Sequence, residues 1–204
     1  ICFSMLNSCV ERRDLSKNIV VAHISSNPDG LHPFNNNSVM RSFIFEHTQK
    51  TLTKLDLKSM DYIPSLAKSL PIISEDGLIY DYELRDDLKW DDGTPVTAED
   101  VEFTSKIQLC PLTNNANVRG NYTSVIKNIV LDASDPLKFR MYAFSKNVTN
   151  STIYTEIYIQ QKSYWDPEGV LDDMSFEDIH NSNFTEKKEW SEWFNKFNHG
   201  DNSY

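Results

Sequence analysis

Cysteine is scarce in these 204 residues: Cys2, Cys9 and Cys110 are all there are, and none forms a Cys-x-x-Cys pair or falls at zinc-site spacing from a histidine. A disulfide framework is thereby excluded. Glycine is scarce as well, and six glycines supply neither a glycine-rich phosphate loop nor a Gly-x-Ser-x-Gly nucleophile elbow. The five histidines contain no i, i+4 pair and no His-Glu-x-x-His, so a metal site is unsupported. No apolar run approaches the roughly 20 residues that a membrane-spanning helix requires. Positive charge is in the minority, with 20 Lys and Arg against 30 Asp and Glu. The resulting formal net charge of -10 repels phosphate backbones and anionic headgroups, which argues against nucleic-acid binding.

What is present suits one globular domain or a large piece of one, since 39% of residues are hydrophobic and 25% charged. The acidic pairs Asp86-Asp87, Asp91-Asp92 and Asp172-Asp173 do not make a catalytic site. A glycosidase needs carboxylates on opposite sides of a scissile bond, whereas neighbours in a turn both point to solvent. No catalytic residue, cofactor or metal is assigned. Asn-x-Ser/Thr sequons begin at Asn36, Asn121, Asn147, Asn150 and Asn183; they would suit a secreted eukaryotic glycoprotein, but an asparagine-rich composition also produces them by chance.

The first residues, Ile1 to Cys9, read as the later part of a lipoprotein signal peptide (1–8). Leu6-Asn7-Ser8-Cys9 resembles a lipobox, which makes Cys9 the lipidated residue and Val10 to Lys17 a polar tether (9–17) ahead of the domain at 18–204. Asn18 to Ile24 is rich in β-branched residues and reads as a buried strand. Ser38 is placed to cap a helix with an apolar face at Met40, Phe43, Ile44 and His47. A short strand and a helical turn around Pro64 to Ala67 are expected next. Then Ile72-Ile73, the turn Ser74 to Gly77 and the alternation of Leu78, Tyr80, Tyr82 and Leu84 predict a hairpin. A second Asp-Gly turn at Asp92-Gly93 precedes Thr97 to Asp100, a capping-box-like helix start. Cys110, at helical spacing from Phe103 and Ile107, reads as a buried thiol. Strands are predicted over Ile126 to Leu131, Lys138 to Phe144 and Ile153 to Ile159. A final helix from Thr185 carries Trp190, Trp193, Phe194 and Phe197 on one stripe, which is expected to lack its partner surface within these residues.

Three segments carry a resemblance. Tyr62-Ile63-Pro64-Ser65-Leu66-Ala67-Lys68-Ser69, Ser74 to Arg85, and above all Leu88-Lys89-Trp90-Asp91-Asp92-Gly93-Thr94-Pro95-Val96-Thr97-Ala98-Glu99-Asp100-Val101 are similar to successive motifs of family 5 extracellular solute-binding proteins. Ser26 to Pro33 resembles the family's loop after the first strand, with His32 where Asp is usual, and Tyr164 to Gly169 resembles a weaker segment. The resemblance is strong from Asn18 to Ile107 and fades beyond Phe144.

The resemblance implies an α/β fold of the type II periplasmic-binding-protein class. Family members are typically more than twice as long, so this chain is expected to supply the early, incomplete part of the first lobe. It further implies a non-enzymatic substrate-binding component of an ABC importer that captures oligopeptides. Such a component meets permease subunits in the membrane and works in the periplasm or on the outer face of the cytoplasmic membrane, here held by a lipid on Cys9. A nickel, oligosaccharide or signalling-peptide receptor of the same fold remains an alternative, and a secreted glycoside hydrolase a more distant one. The signature from Lys89 to Val101 is read as structural. Ligand contacts are expected from two polar loops, at Phe34, Asn35, Asn36, Asn37 and Ser38, and at Asn117, Arg119 and Tyr122.

Overall fold

The computed structural model describes residues 23, 26, 27, 30–35, 39–184 and 187–200. The strand expected over Asn18 to Ile24, apart from His23, lies outside the described residues, as do Cys9 and Asn36 to Ser38.

The alternating Leu78 to Leu84 stretch does form the predicted hairpin. β3 (Ile72–Ile73) pairs antiparallel with β4 (Ile79–Glu83). Gly77, at φ +72°, closes the turn by donating to the Ser74 carbonyl at 2.9 Å. Tyr80, Tyr82 and Leu84 are buried while Ile79, Asp81 and Glu83 face outward, as period-two alternation demands. β5 (Ile126–Leu131) and β6 (Lys138–Ala143) complete an antiparallel sheet in the order β3-β4-β6-β5. A separate ribbon pairs β1 (Thr53–Leu55) with β2 (Tyr62–Pro64). The helical turn expected around Pro64 to Ala67 is not formed. Instead the chain bends at Ser65 and Leu66, held there because the Ser65 and Ala67 N–H groups donate to the Leu52 carbonyl at 2.9 and 3.0 Å and Ala67 bridges to Leu84.

α2 (Ala98–Leu109) is the central helix, with Val101, Phe103, Ile107 and Leu109 buried. The signature segment builds its start. Gly93 sits at φ +87°, the Trp90 N–H donates to the Thr94 carbonyl at 2.8 Å, and Asp92 Oδ1 accepts from the Thr94 N–H at 2.9 Å. Asp100, buried one turn into α2, accepts from the Thr97 N–H at 2.9 Å, Trp90 Nε1 at 3.2 Å and the Lys162 N–H at 2.8 Å. One carboxylate thus pins turn, helix and the start of α4 (Lys162–Trp165) together.

Three further sequence expectations need correction. α1 (Val39–Thr48) buries Phe45, with Arg41 over its ring at 5.0 Å, while Phe43 and His47 of the expected stripe are exposed and pair with each other. Arg41 and Phe45 turn inward because the Arg41 guanidinium serves the Pro33 carbonyl at 2.6 Å. Ile153 to Ile159 is no strand. A 3-10 helix (Val148–Thr155) runs into an extended segment, started by Asn147, whose side chain accepts from the Thr149 N–H at 3.1 Å, and continued by threonine hydroxyls bonding back three residues. Ile153 and Tyr154 are both buried, which strand alternation would forbid but a helical turn permits.

The third correction concerns α6 (Lys188–His199). Its stripe has a partner surface: Trp190, Trp193, Phe194 and Phe197 are all buried. Trp193 stacks on Phe197 at 5.0 Å, meets Phe103 of α2 edge-on at 6.1 Å, and Phe197 meets Trp165 at 5.1 Å. Burial of four such side chains is worth roughly 1.5–3 kcal/mol each, so α6 is a principal wall of the core. A smaller helix, α5 (Phe176–Asn181), carries a full capping box between Ser175 and Asp178 and packs against β5.

Candidate functional site

The first of the two stretches singled out for ligand contact sits at the C-terminal end of α6, and Asn198 ties that end to the 110–115 loop. Its Oδ1 accepts from the Asn114 N–H at 2.9 Å and its Nδ2 donates to the Leu112 carbonyl at 2.8 Å. Its own backbone carbonyl accepts from Asn35 Nδ2. Phe34 rests on Phe197 at 5.9 Å between ring centres. The turn at 32–35 is therefore seated on α6, and α6 is tied to the 110–115 loop.

Asn117 to Tyr122 is not a loop but most of α3 (Ala116–Thr123), which Asn115 leads into. Winding into a helix separates the side chains by function. Arg119 turns back over the 110–115 loop, its Nη1 donating to the carbonyls of Cys110, Pro111 and Thr113 at 3.4, 3.2 and 3.3 Å. A cation collecting three carbonyls holds that loop in place. Tyr122, one turn on, is buried, and its hydroxyl donates to Glu156 Oε2 at 3.5 Å. Burial, with the Glu156 charge second, pushes that hydroxyl's pKa up to about 12. Asn121, Tyr122, Asn147, Thr152 and Glu156 line a cleft of about 400 Å³ between α3 and the 3-10 helix. Phe34 and Asn35 do not line that cleft; they belong to the Asn198 corner. Asn36, Asn37 and Ser38 lie outside the described residues, as does the side chain of Asn117.

The corner presents amides and carbonyls, with the Arg119 cation over the 110–115 loop. Among the described residues the side-chain oxygens of Asn35 and Asn115 are buried acceptors without a partner. Cys110 is fully buried and its thiol is pushed up to about 12 by that burial, so no thiolate nucleophile forms at neutral pH. Among the described residues no three His, Cys, Asp or Glu side chains converge as metal ligands. A larger cleft of about 510 Å³ lies on the outer face of the sheet, walled by the ion pair Asp81–Arg140 and by Ile72 and Val130, and contains none of the expected contact residues. Sequence reading missed Asn198, Asn115 and Glu156. Asn198 follows directly on the aromatic stripe and Glu156 stands inside a segment read as a strand, so neither position carried a local signal.

The family model described as bacterial extracellular solute-binding proteins, family 5 Middle, matches residues 61–196. The oligopeptide-binding protein OppA of Bacillus subtilis is 33% identical over 90 residues, which is 44% of this chain and 16% of that protein. A periplasmic oligopeptide-binding protein, OppAIV, from Borrelia burgdorferi superposes with a TM-score of 0.60 at 25% identity, covering 72% of this chain and 32% of that one. The pheromone receptor PrgZ superposes with a TM-score of 0.62 at 20% identity, covering 74% and 32%. The architecture shared with these structures is the α/β fold of type II periplasmic binding proteins, over the part of it that aligns.

Proposed function

Because this chain belongs to the bacterial extracellular solute-binding proteins of family 5, whose model matches residues 61–196, we propose that it is part of the peptide-capturing component of an ABC importer. The observation that carries this reading is the family match, joined to two similar proteins named for oligopeptide binding. The geometry is in keeping with it: the amides and carbonyls around Asn198 and the Arg119 cation suit pairing with a backbone rich in N–H and C=O groups.

In this proposal the contacts come from Phe34, Asn35, Asn36, Asn37 and Ser38 on one side and Asn117, Arg119 and Tyr122 on the other. They form one wall of a site whose other wall belongs to a second lobe. Closure of the lobes shields the peptide hydrogen bonds from water, and binding draws the population toward the closed state. The protein works outside the cytoplasmic membrane beside its permease, held there by a lipid on Cys9. Replacing Cys9 with Ala should move it from the membrane fraction to the soluble one; unchanged membrane association without detectable lipid would remove the anchor from the account.

A solute screen tests the function itself. Protein purified from its source organism should be stabilised against heat by mixed oligopeptides, and not by nickel chelates or oligosaccharides. Stabilisation by either of the latter alone would assign a different solute and reject the peptide reading.

A further inference from the structure

His32 uses both ring nitrogens to fasten one turn to the end of α6. Nδ1 accepts from the N–H groups of Phe34 and Asn35 at 3.2 and 3.0 Å. Those bonds require its lone pair, which places the proton on Nε2, and Nε2–H donates to the Phe197 carbonyl at 2.7 Å. That carbonyl lies in the last turn of α6, where it also accepts from the Gly200 N–H at 3.0 Å. The ring is half-buried, edge-on to Phe197 at 4.7 Å and tilted against Trp165 at 6.0 Å. Among the elements packed on it, α1 contributes the Arg41 cation, which donates to the His32 and Pro33 carbonyls at 3.4 and 2.6 Å. α4 and α6 meet the ring with Trp165 and Phe197, neither of which titrates.

We propose that His32 is a pH-operated clasp: its neutral Nε2–H tautomer fastens the His32–Asn35 turn to the C-terminal end of α6, and a proton on Nδ1 unfastens it. Protonation turns Nδ1 from acceptor to donor, so that its N–H would face the N–H groups of Phe34 and Asn35. Both amides lose their partner at once, while the Nε2 bond to Phe197 survives. The surroundings agree with this direction. Burial lowers the His32 pKa from its ordinary 6.5 and Arg41 adds to that, against the Phe197 carbonyl, which favours the charged ring. A lowered folded-state pKa means that the clasp contributes its full stability above pH 6.5 and loses it as pH falls below that value. Since Phe34 and Asn35 belong to the proposed wall, acidification would also loosen that wall; this last consequence rests on the proposed function, and the clasp itself does not.

The test needs no ligand. Amide hydrogen exchange of Phe34 and Asn35 is followed by NMR on the full-length protein from about pH 8 to about pH 5, corrected for intrinsic exchange, alongside the His32 ring nitrogen shifts. Protection of the two amides should fall by about tenfold or more, with a midpoint below 6.5 that matches the ring titration. In His32→Asn the side-chain oxygen offers an acceptor near the place of Nδ1 without titrating in this range, so protection should be independent of pH. Unchanged protection in the wild type, or parallel loss in wild type and His32→Asn, would overturn the clasp. Either result leaves peptide binding untouched, so failure of the clasp is distinguishable from failure of the functional reading.

Discussion

Asp100→Ala removes the carboxylate that holds the signature turn, α2 and α4 in one place. The side chain is buried and accepts from the Thr97 N–H, the Lys162 N–H and Trp90 Nε1, at 2.9, 2.8 and 3.2 Å. Truncation leaves these donors without their acceptor in a site that water reaches poorly, at about 1 kcal/mol each or about 3 kcal/mol together. The cost is not larger because burying the charge was itself unfavourable, as the raised pKa of Asp100 records: desolvation raises it more than its hydrogen bonds lower it. For a chain of this size about 3 kcal/mol corresponds to a fall in Tm of roughly 6–12 °C. The folded form binds the Asp100 proton more tightly than the unfolded form does. Its contribution is therefore fully present below pH 3.8 and partly lost as pH rises through the window above it, so the gap between wild type and variant should narrow toward neutral pH. Thermal and urea unfolding followed by circular dichroism at several pH values measure both effects. A loss under about 1 kcal/mol, or a gap that widens from acid to neutral pH, would refute the reasoning.

Two further outcomes follow from the same geometry. Gly93→Val should destabilise by about 1–2 kcal/mol through backbone strain alone, because φ is +87° and an added Cβ meets nothing within 4 Å; a variant with an unchanged melting temperature would show that the turn relaxes freely. Cys110 should resist thiol reagents in the native state and react on unfolding, as its burial and a pKa near 12 require; labelling mapped to Cys110 in native protein at neutral pH would contradict that burial.

The hairpin, the central helix and both long strands were legible because each is stated by short-range chemistry: period-two alternation at Leu78 to Leu84, Asp-Gly turns at residues 76–77 and 92–93, and the Thr97 to Asp100 helix start. The misread segments are those where distant partners decide. Pro64 to Ala67 bends without forming a helical turn because Leu52 accepts from it, and α1 turns Phe45 inward because Arg41 is drawn to the carbonyls of the preceding turn. The stripe on α6 was correct as a pattern, but its partners, Phe103 and Trp165, come from elsewhere in the chain and could not be assigned from spacing. At the expected contact residues, the local bonding could not be read from spacing. Arg119 serves three carbonyls, and Asn198, the residue that connects the corner, is one asparagine among many in the sequence.

Isothermal titration with a mixed peptide library, comparing the protein as its source organism makes it with Tyr122→Phe and Phe34→Ala, addresses the central claim that the two proposed contact stretches together receive a peptide. Tyr122→Phe keeps the ring in the core and removes only the hydroxyl that meets Glu156, so folding should be nearly unchanged. Wild type should bind saturably, and each variant should lose about 1 kcal/mol or more of binding, roughly fivefold or more in Kd. Saturable binding of equal strength in all three would place the peptide elsewhere, and no binding in any of them would contradict peptide capture.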